Sequence, residues 1–252
     1  MSEHTPTSPF DGLILAADTS TMTQSVALVH GTTLRASRTH HSRRGHADKL
    51  LGIIDELLGA CGARITDVGL MVVGTGPGSF TGLRIGLACL KGLAFANQIP
   101  LVGASSLRAM AHQSAPRPGL VVPLNDARKR EVYTGLYRWQ GERCVAVMDD
   151  AAMKPDQLAE TILEHHRDQE PVVLLGGGLG PYGAMLKEAL APHVSALTLL
   201  GDAYGHPSAA HMATTAAAEV DLNALPDLTM LEPNYQRPSD AELKFGPPGK
   251  MR

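Results

Sequence analysis

The residues Val68–Asn97, VGLMVVGTGPGSFTGLRIGLACLKGLAFAN, carry the reading on which the fold turns. They open with an apolar run, Val68–Val73, that reads as a buried strand. They close with Ser79–Asn97, where Leu83, Leu87, Leu90 and Ala94 recur at helical spacing. Between the two lies a loop holding Gly74, Gly76 and Gly78. A strand, a glycine-rich turn and a long helix form one β-α unit. Such a turn has three competing uses: a phosphate cradle, a seat for a nucleophile, or a close approach of two backbones.

The first two uses require residues that are not in place. A Walker loop needs Gly-Lys-Ser/Thr, so that the lysine reaches the terminal phosphates. The nearest lysine here, Lys91, is well inside the helix. A dinucleotide fingerprint starting at Gly76 and Gly78 needs a third glycine where Thr81 stands. A nucleophile elbow needs glycine two residues to either side of the serine, and Ser79 has Pro77 and Thr81 there. Ser79 is better placed as an N-cap, its hydroxyl accepting from an orphan N–H of the first turn. Gly82 and Gly86, one turn apart in the helix, then suggest a strip of small residues for close packing.

Working outward, the same kind of unit recurs. Leu13–Ala17, Gln24–Val29 and Thr32–Thr39 read as strands, the last two joined at His30-Gly31. His46–Cys61 is helical in period. Pro100–Val102 reads as a strand and Ala104–Gln113 as a helix. After a linker at 115–119 the series restarts. Leu120–Asn125, Glu131–Trp139 and Arg143–Met148 are strands, and Pro155–His166 is a helix. Pro171–Leu175, Pro181–Leu190, Ala196–Leu200 and Pro207–Val220 alternate strand and helix. The order βββαβαβα is written twice without a sequence repeat. That is the α/β order of the actin-like fold, shared by Hsp70-like and sugar-kinase-like proteins. The expected organisation is a tail at 1–11, one lobe over 12–114, a second over 120–237 whose last helix packs back on the first, and a tail at 238–252.

Composition narrows the function. The 252 residues carry a formal charge of −3, with 44% hydrophobic and 19% charged residues, as in an ordinary globular chain. No overall basic excess marks a nucleic-acid binder. Cys61, Cys89 and Cys144 are few and scattered, which argues against a disulfide framework or structural zinc. The apolar runs are short of a membrane span, and the polar N-terminus has no signal-peptide pattern. A cytoplasmic location is expected.

Two helices carry more apolar surface than one sheet face requires. Leu50, Leu51, Ile53, Ile54, Leu57 and Leu58 form a wide stripe on the first. On the second, Ile85, Ala88, Cys89, Gly92 and Phe95 populate a side other than the leucine stripe. An external helix partner is expected, with Leu50, Ile54, Leu57, Gly82, Arg84, Ile85, Gly86 and Cys89 at the interface.

Five segments together carry a family resemblance: LILAADTSTMTQSVALVHG (13–31), GTGPGSFTGLRIGLACLKGLA (74–94), GASSLRAMA (103–111), NDARKREVYTGLY (125–137) and EPNYQR (232–237). They resemble, in order and over nearly the whole chain, the TsaB (YeaZ) family. The resemblance implies a part in threonylcarbamoylation of the adenosine 3′ of the anticodon, in tRNAs reading codons that begin with A. It implies a non-catalytic partner of the transferase TsaD, an ATPase partner TsaE, homodimers or TsaD pairs formed through the first lobe's helices, and tRNA met indirectly through the complex.

No catalytic activity and no cofactor of its own are expected. Actin-like ATPases place glycines at the two hairpins that meet phosphate. Here those places hold Asp18-Thr19-Ser20-Thr21 and Asp126-Ala127-Arg128. LLGGGLGPY (174–182) resembles an adenosine-side loop, or else is a plain strand-to-helix turn. The candidate cleft contacts are Asp18, Asp126, Arg128, Gly176 and Gly177, with nucleotide met within the complex. No metal site is expected. His40, His41 and His46 lack zinc spacing. Where TsaD carries a paired-histidine motif, Ser105–Gln113 offers only His112. The competing readings are an ATP-dependent enzyme of the same fold and a plain tRNA-binding protein.

Overall fold

The structure, a computed structural model, describes residues 10–41, 49–115, 118–225 and 227–237. Of the expected tails and linker, residues 1–9, 116–117 and 238–252 lie outside the described residues, as do His46 and the start of the first expected helix.

β1 (Leu13–Asp18) pairs antiparallel with β2 (Thr23–His30), and β2 with β3 (Thr33–His41). After α1 (Leu50–Ala60), β4 (Val68–Gly76) joins β1 in parallel. α2 (Phe80–Asn97) leads to β5 (Leu101–Ser105), parallel to β4, and α3 (Ser106–Ala111) follows. The second half repeats the series: β6 (Leu120–Arg128), β7 (Glu131–Gln140), β8 (Arg143–Met153), α4 (Pro155–His165), β9 (Val172–Leu175), α5 (Leu179–Leu190), β10 (Leu197–Leu200) and α6 (Ala209–Glu219). The sheets run β3-β2-β1-β4-β5 and β8-β7-β6-β9-β10, so equivalent strands hold equivalent places. This is the α/β actin-like fold, two βββαβαβα lobes.

The apolar run of β1 is explained by cover on both faces. Leu15 and Ala17 lie under α1 and α2, in one cluster with Leu50, Ile53, Ile54, Leu57, Leu87 and Leu90. Ile14 and Ala16 face the other way, onto Ala209, Met212, Ala213 and Ala217 of α6. Removing a leucine side chain such as Leu90 from water contributes about 1.5–3 kcal/mol.

The third helix of each half covers the other half's sheet. α6 packs on β1 and β2. Its N-terminal Ala209 N–H reaches Ser25 Oγ on β2 at 3.0 Å, and its alanines let it lie close. α3 packs on β6 and β7, with Leu107, Met110 and Ala111 against Val121, Val173 and Leu175. The layers run α1 with α2, first sheet, α6 with α3, second sheet, α4 with α5. Among the described residues no helix is long and apolar enough to cross a membrane.

Candidate functional site

The lobes meet around a cleft of about 470 Å³. Ser20 and Thr21 of the β1–β2 loop, Gly78 to Phe80 at the start of α2, Asn125 to Arg128 at the end of β6, Gly177, and Asn234 to Arg237 all line it.

The β1–β2 loop is consumed by internal bonds. Asp18 is fully buried. Its Oδ1 accepts from the Ser20 N–H at 2.8 Å and the Ser20 hydroxyl at 2.7 Å, and its Oδ2 from Ser106 Oγ at 2.6 Å. Burial pushes this carboxyl above the usual range, against the pull of those hydrogen bonds. The Ser20 carbonyl accepts from the Ser79 N–H at 2.7 Å. Asp18 therefore ties this loop to the start of α3.

The loop and helix glycines converge on the same three residues. A Cβ at Gly74 would lie 2.0 Å from Asp18 Oδ2, and one at Gly78 2.3 Å from the Ser20 carbonyl oxygen. A Cβ at Gly82 would lie 2.0 Å from the Thr19 carbonyl oxygen, and one at Gly86 2.3 Å from Thr19 Oγ1. The turn serves close approach of two backbones, both within this chain. Ser79 caps α2, its Oγ accepting from the Gly82 N–H at 3.2 Å.

The opposite wall is the β6–β7 hairpin. Arg128, Lys129 and Arg130 have φ of +64°, +52° and +63°, each a left-handed conformation costing an L-residue about 1–2 kcal/mol. Asp126 Oδ1 accepts from the Arg128 N–H at 2.8 Å and so steadies the turn. Arg128 and Asp126 sit at the cleft mouth.

A chain segment bridges that mouth. On the first lobe, Lys91 Nζ donates to the Thr229 carbonyl at 3.2 Å and the Asn234 N–H donates to the Thr75 carbonyl at 2.7 Å. The Tyr235 ring lies 4.8 Å from that of Phe80, and its hydroxyl accepts from Arg84 Nε at 2.8 Å. On the second lobe, Arg237 Nη1 donates to the Ala127 carbonyl at 2.7 Å and pairs with Glu131 at 3.2 Å.

Among the described residues no group of three or more His, Cys, Asp or Glu could hold a metal ion. The residues around His112 do not fit one. Its ring meets Trp139 edge-on at 4.9 Å and lies 6.2 Å from that of His211. One helical turn earlier stands Arg108, bonded through both terminal nitrogens to Glu219. Burial, with Arg108 and His211 adding to it, lowers His112 to about 4.

The outer face of α1 and α2 has a different character. Phe95 is 79% exposed and Leu51 56%. Ala88 and Gly92 are exposed beside them, with Ile85 and Cys89 half-buried. Gly52, Gly59 and Gly92 point outward, and a Cβ at any of them would meet nothing within 4 Å. A helical glycine costs about 1 kcal/mol against alanine, and no internal contact explains these three.

Residues 34–244 match the family model for TsaD, tRNA N6-adenosine threonylcarbamoyltransferase. The TsaB protein of tRNA threonylcarbamoyladenosine biosynthesis from Bacillus subtilis is 31% identical over 233 residues, covering 92% of this chain and 97% of its own length. The chain belongs to the TsaB family. The Escherichia coli TsaB is 37% identical over 143 residues, 54% of this chain and 62% of that protein. A solved Pseudomonas aeruginosa structure, described as similar to peptidase YeaZ, superposes with a TM-score of 0.72 at 29% identity over 90% of this chain and all of its own. YeaZ from the same organism gives 0.69 at 32% identity, over 81% of this chain and 90% of its own.

Several expected site residues take other places. Leu50, Ile54 and Leu57 are 1%, 3% and 6% exposed and belong to the first lobe's own core, so they present nothing to a partner. Gly82 and Gly86 face Thr19, and their smallness serves the lobe itself. Arg84 is exposed but stacks on Phe80 at 3.7 Å. Of that set, Arg84, Ile85 and Cys89 border the outer face. Of the cleft residues, Asp126, Arg128 and Gly177 line the mouth, whereas Asp18 is sealed beneath Ser20. Gly176 is buried too, where a Cβ would lie 2.3 Å from the Leu124 carbonyl oxygen. Sequence reasoning gives the Asn234–Arg237 bridge no structural place, although these residues lie within EPNYQR (232–237), one of the five segments that carry the resemblance.

Proposed function

We propose that this chain is a non-catalytic partner subunit for threonylcarbamoylation of tRNA, in the cytoplasm, supporting a TsaD-like transferase with a TsaE-like ATPase. The observation that carries this reading is the outer face of α1 and α2. It combines an exposed Phe95 with three helical glycines that have no neighbour of their own. Such a face suits a second helix pair, either from another copy of this chain or from a TsaD-like subunit of the same fold. The tRNA is met through that assembly.

The cleft supports the non-catalytic half of the reading. The Ser20 N–H that could meet a phosphate is bonded to Asp18, and the Ser20 carbonyl is held by Ser79. Nucleotide contact at the cleft then belongs to the complex, without turnover by this chain alone.

The test is to replace Phe95 with Asp and Leu51 with Lys. The expected result is loss of self-association in analytical ultracentrifugation and loss of co-elution with the TsaD-like subunit, with unchanged monomer melting. Deleting the gene is expected to lower threonylcarbamoyladenosine in tRNA nucleosides analysed by mass spectrometry. Unchanged modification, or steady ATP turnover by the purified chain, would favour the enzyme reading.

A further inference from the structure

The helices α1 and α2 together hold four charged residues, Asp55, Glu56, Arg84 and Lys91. Two of them are engaged inside the chain. Glu56 pairs with Arg38 of β3, and Lys91 donates to the Thr229 carbonyl. The other two are open. Asp55 is exposed, and its carboxylate has no hydrogen bond or ion pair among the described residues. Arg84 donates from Nε to the neutral Tyr235 hydroxyl, and its two terminal nitrogens have no partner among the described residues. Within one chain Arg84 and Asp55 stand on different helices and form no ion pair.

The open end of Arg84 is held ready for a partner. Its guanidinium lies 3.7 Å over the Phe80 ring and 5.6 Å from the Tyr235 ring. A long side chain normally loses rotamer freedom when it pairs, and here the stack and the Nε bond have already fixed it. The planar fork that remains matches a carboxylate through two parallel hydrogen bonds. Both charges border one apolar surface. Arg84 stands one turn before Ala88 on the side of α2 that exposes Phe95, and Asp55 stands one turn after the exposed Leu51 of α1.

We infer that this face takes a second copy of the chain, with Arg84 of each copy holding Asp55 of the other. A twofold contact sets residue i against j and j against i. A face with one open cation and one open carboxylate is self-complementary under that operation. It closes two ion pairs at the rim of an apolar centre formed by Phe95 and Leu51. Two open cations, or two open carboxylates, would repel instead. The pairs fix register and orientation between the copies, which apolar contact alone leaves loose. The inference rests on the reading of the outer α1–α2 face as the association surface, and it assigns the occupant of that face.

The test is a charge exchange read by analytical ultracentrifugation of the full chain. Arg84→Glu sets two carboxylates together at each contact, and Asp55→Arg sets two guanidinium groups together. Each single variant should self-associate at least about tenfold more weakly than wild type, because like charges then face each other across the interface. An equimolar mixture of the two variants should associate about as tightly as wild type, since every contact in the mixed pair again joins opposite charges. The double variant, Arg84→Glu with Asp55→Arg, should do the same. If Arg84→Glu melts early through loss of its stack on Phe80, Asp55→Arg decides alone. Its defect should shrink as salt is raised, whereas a merely bulky obstruction would persist. Unchanged self-association in both single variants would overturn the inference. So would weakened variants that stay apart on mixing, or a wild type that is monomeric throughout. Loss of co-elution with the TsaD-like subunit in Arg84→Glu, with self-association intact, would give the fork to that subunit and overturn it as well. Failure of the face itself reads differently: Phe95→Asp with Leu51→Lys breaks association wherever the face is the contact, whatever Arg84 meets.

Discussion

The Thr19 hydroxyl donates to the Gly82 carbonyl at 2.7 Å, joining the β1–β2 loop to the first turn of α2 across 63 positions of sequence. The Thr19 carbonyl oxygen in turn occupies the space where a Gly82 side chain would stand. Gly82→Ala is therefore expected to destabilise the first lobe by at least about 1–3 kcal/mol, the usual cost of overpacking. Because the obstacle is backbone, relaxation is costly. Gly86→Ala meets only the Thr19 hydroxyl and should cost less, with partial rescue by Thr19→Ala. Thermal melts of the three variants check this order, and a Gly82→Ala protein as stable as wild type would contradict it.

Ser79→Ala removes the N-cap of α2 and is expected to cost about 1 kcal/mol. In a chain of this size that is a shift of about 2–4 °C in melting temperature. Association and tRNA modification should persist, because the hydroxyl holds a helix end rather than a substrate.

Arg237→Ala should release the bridge over the cleft without unfolding either lobe. It removes the bond to the Ala127 carbonyl and the pair with Glu131, where Arg237 is 15% exposed. Hydrogen exchange is the measurement. Amides near Asn234 should exchange faster, while those of β1 and β4 keep their protection.

His112 gives stability a pH dependence of known sign. Its folded value of about 4 lies below the ordinary 6.5, so the unfolded chain takes up a proton first as pH falls. The native state is fully favoured above about pH 6.5 and loses stability down to about pH 4, by about 1.4 kcal/mol per unit of difference at the limit. Burial lowers His211 in the same sense. Burial raises Asp18 and Asp150, which titrate in the opposite sense. The check is therefore a comparison of His112→Gln with wild type by urea denaturation at pH 7 and pH 5. The variant should lose less stability between them.

The fold was legible because the strands declare themselves by composition. LILAA in β1 and LMVV in β4 are apolar on both faces because both faces are covered. Strand ends were less legible. β8 runs to Met153, well past the apolar run that suggested it, because Ala151, Ala152 and Met153 continue the pairing with β7 and the polar Asp150 before them is held by Tyr137 and Ser105. The site was harder to read. A one-dimensional spacing marks Gly82 and Gly86 as a strip but cannot say what lies opposite, and what lies opposite is Thr19 of the same lobe. The side bearing Ile85, Ala88, Cys89, Gly92 and Phe95 was visible as a second apolar face, yet its exposure depends on α1 covering only part of it. Asp18 looked like a cleft residue because it ends a strand beside the cleft; its hydrogen bonds to Ser20 and Ser106 turn it inward.

The exchange of α3 and α6 between the sheets has a consequence for how the protein is made. One face of the first sheet, with Ile14, Ala27, Val29, Leu70 and Val72, gains most of its cover when Ala209–Ala217 arrives, with Ala109 of α3 beside it. On the ribosome, the amino-terminal half must wait for nearly the whole polypeptide to emerge before that face is shielded from water. During synthesis that apolar face stays open to water, and a fragment cut between the halves is expected to expose it, as an aggregation liability.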